Sequence, residues 1–211
     1  MKIWGRASSV NVQKVLWALH ELGIAFERQD AGGRYGVVNT DEFARMNPAR
    51  RVPVLEEDGF VLWESNAILR YLGTHPLAQR RLVPAEPRER AIMDQWMEFT
   101  TSTLLPPFIS LFWQLVRLPE AQRNSDALAS ARRDFGTALA ILDSRLLDKP
   151  YLAGQNMSMA DISAGTIMYR TRDLNLLPSS MQGITRWADT LAERHGFRKY
   201  VATSYEELRA Q

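Results

Sequence analysis

Arg51–Ser65, RVPVLEEDGFVLWES, joins two ligand-gripping devices in one short stretch. Val52-Pro53-Val54-Leu55 is a β-branched apolar run with a proline inside it. Proline has no N–H to give to a ladder, so the run predicts an edge strand whose backbone groups stay free for a ligand. A cis Val52–Pro53 bond would let Val52 turn its own N–H and C=O towards a peptide-like molecule, as in strand addition. A turn at Glu57-Asp58-Gly59 and a second apolar strand, Phe60 to Trp63, come next. Glu64 and Ser65 then precede the helical pattern Asn66-Ala67-Ile68-Leu69-Arg70-Tyr71-Leu72, with Ser65 read as the helix N-cap. A helix N-terminus with free N–H groups and a hydroxyl binds a carboxylate, and Glu64 beside it can accept from an ammonium. Taken singly, each half also fits an ordinary edge strand or an ordinary cap. Their order and spacing point to a site for the amino-acid end of a small molecule.

The composition narrows the chemistry. With 211 residues and 45% hydrophobic content the chain can bury one large or two small cores. A net charge of +2, from 26 basic and 24 acidic residues, argues for neither nucleic acid nor an anionic membrane as partner, despite an isoelectric point of ≈ 9.0. There is no cysteine, which excludes a disulfide framework, a CxxC redox motif, a thiolate metal site and a cysteine nucleophile. Any thiol chemistry must therefore use a borrowed thiol. His20, His75 and His195 are scattered without metal-ligand spacing, so no metal is expected. Polar residues break the N-terminal stretch before it could form a secretory segment, and no apolar run reaches membrane-spanning length. The expectation is a cytoplasmic protein.

Upstream, Lys2-Ile3-Trp4-Gly5 reads as a buried strand. A helix follows, with Val12, Val15, Leu16, Leu19 and Leu22 in one stripe and Gly23 closing it. Ala25 to Gln29 is a second strand, and strand-helix-strand at this length implies a parallel pair with a crossover helix. Ser8, Ser9 and Asn11 place hydrogen-bond donors at the positive end of that helix. An anion is stabilised there by roughly 0.3–1 kcal/mol, so a thiolate would be favoured over its thiol; a plain helix cap is the alternative use of Ser9. Ala31 to Asp41 is glycine-rich but lacks nucleotide-loop spacing. Thr40 or Asp41 caps a short helix ending by Asn47-Pro48. Arg34, Arg50 and Arg51 could each reach a ligand carboxylate.

Residues 75–87, rich in proline and arginine, read as a linker, and the rest as wholly helical. Ala91 to Val116 carries many aromatics and is interrupted by Pro106-Pro107, which should kink or break the helix. Leu128, Ala131, Phe135, Leu139, Leu142 and Leu146 form another stripe, and Ile184, Trp187, Leu191 and Phe197 continue the periodicity. Ser158-Met159-Ala160-Asp161 is a capping box with a structural role.

NPARRVPVLEEDGFVLWESNAILRYL strongly resembles the glutathione-binding half of the glutathione S-transferases, and YLAG followed by the Ser158–Asp161 box is similar to their C-terminal half. SSVNVQKVLW is similar to the bacterial serine-type, theta- or nu-like members, with Val10 where proline is usual. Arg50 also departs from the family, standing where glycine is common. The resemblance covers essentially the whole chain. It implies an α/β plus all-α architecture: an N-terminal thioredoxin-like domain over 1–74 and a C-terminal helical bundle domain over 88–211. Glutathione would sit between them as cosubstrate. On that match Ser9 donates to the thiolate with Asn11 in support, Val52 and Pro53 hold the cysteinyl backbone, Glu64 and Ser65 the γ-glutamyl end, and Arg51 the glycyl carboxylate. Ser8, next to Ser9, keeps a one-residue ambiguity open. Phe108, Phe112 and Trp113 would line the pocket for a small hydrophobic electrophile. The family further implies a homodimer, across which Asp94 and Glu98 could reach the glutathione amine. Glutathione-dependent disulfide reduction and a non-catalytic binding or regulatory role are the alternatives.

Overall fold

A computed structural model describes residues 1–79 and 81–210; Arg80, inside the expected linker, and Gln211 lie outside the described residues. Lys2–Trp4 forms β1, Val10–Leu22 α1 and Glu27–Gln29 β2, with β1 and β2 parallel. Gly23 ends α1 in the left-handed conformation, φ 70°, where glycine carries no Cβ penalty. Asp41–Met46 forms α2, capped by the Thr40 side chain, which accepts from the Phe43 N–H. Val54–Glu57 (β3) and Phe60–Trp63 (β4) form a hairpin around Asp58 and Gly59, both at positive φ, the turn geometry that matches strand twist. Ser65–Thr74 is α3.

The strand order is β2-β1-β3-β4, so β3 lies inside the sheet and β2 and β4 are its edges. This corrects the expectation of an edge strand at Val52–Leu55. Pro53 stands one residue before β3 rather than within it, so no ladder bond is lost and the strand can be central.

The second half is helical. Pro87–Phe99 (α4) runs on through a wide π-helical turn at Thr100–Leu104 into Leu105–Phe112 (α5), and a second such turn covers Trp113–Arg117. The regular α-helix is interrupted just before Pro106 and Pro107, as their sequence position predicts. They occupy the opening positions of α5, where a missing N–H is tolerated, and the looser turn before them absorbs the lost bonds. Ser125–Asp148 (α6), Met159–Gly165 (α7), Met168–Asp173 (α8), Gln182–Ala192 (α9) and His195–Tyr200 (α10) complete the fold. The Ser158–Asp161 capping box is formed as expected. The fully buried Asp161 accepts from the Leu152 and Ser158 N–H groups, the Ser158 hydroxyl and the Trp187 indole.

α1 is buried on nearly every face, not along one stripe alone: each residue from Val12 to Leu19 is buried, Gln13 and Lys14 included. It lies between α3 on one side and α7 and α10 on the other, so the two halves of the chain share one core. No described helix is long and apolar enough to cross a membrane.

Candidate active site

The N-terminus of α1 presents two serines that the fold does not use up. Ser9 is the N-cap in backbone terms, φ −83° and ψ 122°, and its carbonyl accepts from the Gln13 N–H at 2.8 Å. Its side chain makes no capping bond, unlike that of Thr40 on α2. The plain-cap use of Ser9 is therefore not realised, and Ser9 lines the adjacent cavity. Ser8 is 5% exposed, and its buried hydroxyl has no partner among the described residues. Its carbonyl accepts from Arg170 at 2.7 Å. Both serines line the same cavity, so the geometry keeps both in play.

The start of α3 is built differently. Ser65 is its first helical residue, and the N-cap is Glu64, one step earlier than expected. Glu64 holds φ 70° and ψ 115°, a conformation that L-residues avoid at a cost of about 1–3 kcal/mol. Strain of that kind clusters at ligand-binding and catalytic corners of proteins. The Ser65 hydroxyl donates to Asn11 Oδ1 at 3.4 Å and accepts from Lys14 Nζ at 3.4 Å. Lys14 is 1% exposed; burial pulls its pKa down to about 8, with the charge of Glu64 acting in the opposite direction. Asn66 completes the network: its Nδ2 donates to the Met97 carbonyl and to Thr101, while its Oδ1 accepts from Ser163 and Lys14.

Between these two ends lies Val52. The Val52–Pro53 bond is cis, and Val52 makes no backbone hydrogen bond among the described residues. The free groups expected there are present, although β3 is internal, because Val52 lies before the ladder begins. Gly5 makes the approach possible: a Cβ on it would fall 2.3 Å from Val12 Cγ2 and 3.2 Å from Val52 Cβ. Arg50 takes the left-handed conformation, φ 52°, so the turn keeps a glycine-like shape without glycine. Asn47 holds that turn by donating to the Arg51 carbonyl at 2.7 Å. The exposed Arg51 guanidinium makes no hydrogen bond among the described residues, whereas Arg34 pairs with Glu207 and Arg50 with Asp41.

A cavity of ≈ 290 Å³ opens beside Ser8, Ser9 and Asn11. The three aromatic candidates all line it: Phe108 and Phe112 are buried and Trp113 is 50% exposed. Arg6, Arg117 and Arg170 also line it, and the sequence had not marked them out. Arg170 is held near pKa 10, by burial first and then by Arg6 and Arg117 against the pull of Tyr205; it remains charged at neutral pH. A larger cleft of ≈ 590 Å³ beside Arg81 and Arg145 touches none of Ser9, Val52 or Ser65. Asp94 and Glu98, expected to reach towards a partner, are both occupied by Arg70 of the same chain, at 2.7 and 2.5 Å.

The assembled site therefore has a hydroxyl-bearing helix end, an unpaired backbone segment, a second helix end with a strained cap and an aromatic cavity. Residues 1–74 match the family described as "Glutathione S-transferase, N-terminal domain", and residues 92–195 match "Glutathione S-transferase, C-terminal domain". The chain is 33% identical over 201 residues to glutathione S-transferase GstB of Escherichia coli (strain K12), covering 94% of this chain and 96% of that protein. It is similar, at 38% identity and a TM-score of 0.91, to the theta class glutathione S-transferase of Xanthomonas axonopodis pv. citri solved with glutathione bound, over 96% of this chain and 97% of that one. Elongation factor 1-gamma-A of Xenopus laevis is 33% identical over 171 residues, covering 78% of this chain and 37% of that protein.

Proposed function

This chain belongs to the glutathione S-transferase family, and from that premise we propose that it activates the thiol of glutathione for attack on a small electrophile. The observation that carries the reading is the contact of Ser65 with Asn11, because it joins the carboxylate-binding end of α3 to the cavity that Ser9 borders. In this assignment the γ-glutamyl carboxylate sits on the α3 N–H groups and the Ser65 hydroxyl, with the Lys14 charge beneath and the Glu64 carboxylate taking the ammonium. Val52 exchanges backbone bonds with the cysteinyl residue beside Pro53, and Arg51 pairs with the glycyl carboxylate.

The thiol then lies at the end of α1. Each unit by which its pKa falls takes about 1.4 kcal/mol of preferential binding of the anion. One hydroxyl bond from Ser9, with Asn11 in support, plus the helix end supply about one to two units, enough for substantial thiolate near neutral pH from a start of about 8.5. The thiolate attacks an electrophile held against Phe108, Phe112 and Trp113. Because the chain has no cysteine, disulfide reduction would run through glutathione alone and stands as the second activity.

We assign residues 1–74 to glutathione and 88–211 to the electrophile, and place the protein in the cytoplasm as a homodimer acting in detoxification. The test is an ultraviolet titration of glutathione bound to the wild type and to Ser9→Ala, with a panel of electrophiles and disulfides. A lowered thiol pKa that rises in the variant supports thiol activation. Binding with an unshifted pKa in both proteins, or no binding, rejects thiol activation and supports the non-catalytic role instead.

A further inference from the structure

The cavity beside the two serines carries more positive charge than a single thiolate can offset. Arg6, Arg117 and Arg170 line it, and its lining contains no aspartate or glutamate. Arg170 is 3% exposed and lies beside the packed pair of Phe112 and Tyr205, 5.0 and 4.9 Å from their ring centroids. One of its nitrogens holds the Ser8 carbonyl, while its buried Nε has no partner among the described residues. The Nε of Arg6 is likewise buried and without a partner. Of the carboxylates close by, Glu206 pairs with Arg209, Glu207 pairs with Arg34 while also acting on Arg6, and Asp173 accepts from the Tyr205 hydroxyl; none of them lines the cavity.

Buried cations are retained where a charge-assisted hydrogen bond compensates them. A bound thiolate brings one negative charge against three guanidiniums in the lining, of which Arg6 also feels Glu207, and this leaves room for a second anion. The aromatic wall of Phe108, Phe112 and Trp113 beside the guanidiniums suits an apolar ring attached to that anion. We infer that the electrophile this cavity accepts is a carboxylate-bearing aromatic or similarly apolar acid, its carboxylate held by Arg6, Arg117 and Arg170. The inference rests on the transferase reading above and narrows its substrate class from hydrophobic to anionic.

For a chloronitrobenzoate the reaction balances simply. The thiolate sulfur bonds to the ring carbon bearing chlorine, the C–Cl bond breaks, and chloride leaves with its electron pair. The carboxylate stays unchanged on the arginines.

The experiment has two arms. Calorimetry first measures binding of S-methylglutathione, whose sulfur is blocked, and then of 3-nitrobenzoate or 3-nitrobenzamide to the loaded protein. The benzoate should bind about tenfold or more tightly than its uncharged isostere. That preference should shrink in Arg6→Gln and in Arg117→Gln, and return in part in Arg6→Lys. The second arm compares turnover of 4-chloro-3-nitrobenzoate and 4-chloro-3-nitrobenzamide, each relative to its uncatalysed reaction with glutathione. Equal binding of the two isosteres, or a preference for the amide, overturns the anionic assignment and leaves the transferase reading intact. Failure to bind S-methylglutathione or glutathione overturns the transferase reading, and with it the role of the acid as electrophile, even if the benzoate still binds.

Discussion

The two helix N-termini that frame the site solve opposite problems. Around α3 the buried polar side chains are engaged, Ser65 with Asn11 and Lys14, Asn66 with Met97, Thr101, Ser163 and Lys14, while the exposed Glu64 and the first N–H groups stay open. Around α1 the groups are left open, with the Ser9 hydroxyl unused, the Ser8 hydroxyl buried without a partner, and two guanidinium nitrogens in the same condition. The closed network can hold the constant part of a ligand in fixed geometry, because only the Ser65 proton, now given to Asn11, has to turn to the ligand. The open end leaves donors to be satisfied by the reacting atoms, so it spends stability on chemistry.

Breaking the closed network should have the largest effect. Asn66→Ala removes four hydrogen bonds from a buried position and leaves Lys14 with Ser65 as its one remaining side-chain partner among the described residues. The expected loss is about 3–5 kcal/mol of unfolding free energy by urea titration, in line with breaking a buried charged network. A loss below about 1 kcal/mol would show that the network is decorative and that the contrast between the two ends is not energetic.

The Lys14 charge gives the next effect. Its folded pKa of about 8 lies below the ordinary 10.5. The unfolded chain therefore holds the proton more tightly, and the folded state carries a penalty on the order of 3 kcal/mol below pH 8. That penalty fades as pH rises from about 8 to 10.5, so this residue makes stability rise with pH across that window. The stability of Lys14→Met should lack the rise; parallel pH profiles for the two proteins would remove Lys14 from the account.

The contrast also explains what the sequence could disclose. Arg51–Ser65 was readable because its signals are local: a proline before a strand, an Asp-Gly turn between strands and a helix start. The βαβ unit, Gly23 and the Ser158–Asp161 box were readable for the same reason. The edge-strand inference failed since one residue of offset decides whether Pro53 lies in the ladder or before it. Lys14 and Arg170 read as ordinary basic residues on helices. Their meaning comes from contacts to Ser65 and to Ser8, far away in the chain, and nothing local marks either one. Gly5, too, matters only because Val12 and Val52 meet over it.

Serine substitutions sharpen the comparison at smaller scale. Ser65→Ala removes a hydroxyl engaged on both sides and should cost about 1–2 kcal/mol of stability, with weaker glutathione binding seen mainly in KM. Ser9→Ala removes an unengaged, half-buried hydroxyl. Its stability should change by less than about 0.5 kcal/mol, while kcat/KM falls by roughly ten- to a hundredfold as the bound thiol pKa rises. If Ser9→Ala unfolds more easily than Ser65→Ala, the assignment of open and closed ends is reversed.

Ser8→Ala is the finest of these tests and carries the opposite sign. The Ser8 hydroxyl is buried and without a partner among the described residues, so the folded state bears its desolvation with no compensating bond. Removing it should raise stability by up to about 1 kcal/mol in the glutathione-free protein, since alanine fills nearly the same volume and the carbonyl bond from Arg170 is untouched. Urea titration reads the gain, and the thiolate absorbance of bound glutathione reads the function. A stabilised protein with an unchanged thiol pKa leaves thiol activation to Ser9. A stabilised protein whose bound thiol titrates higher transfers that role to Ser8, whose hydroxyl would then be the donor held in reserve for the thiolate. Destabilisation would mean that the hydroxyl is satisfied in solution, and the open character of the α1 end would rest on Ser9 and the arginines alone.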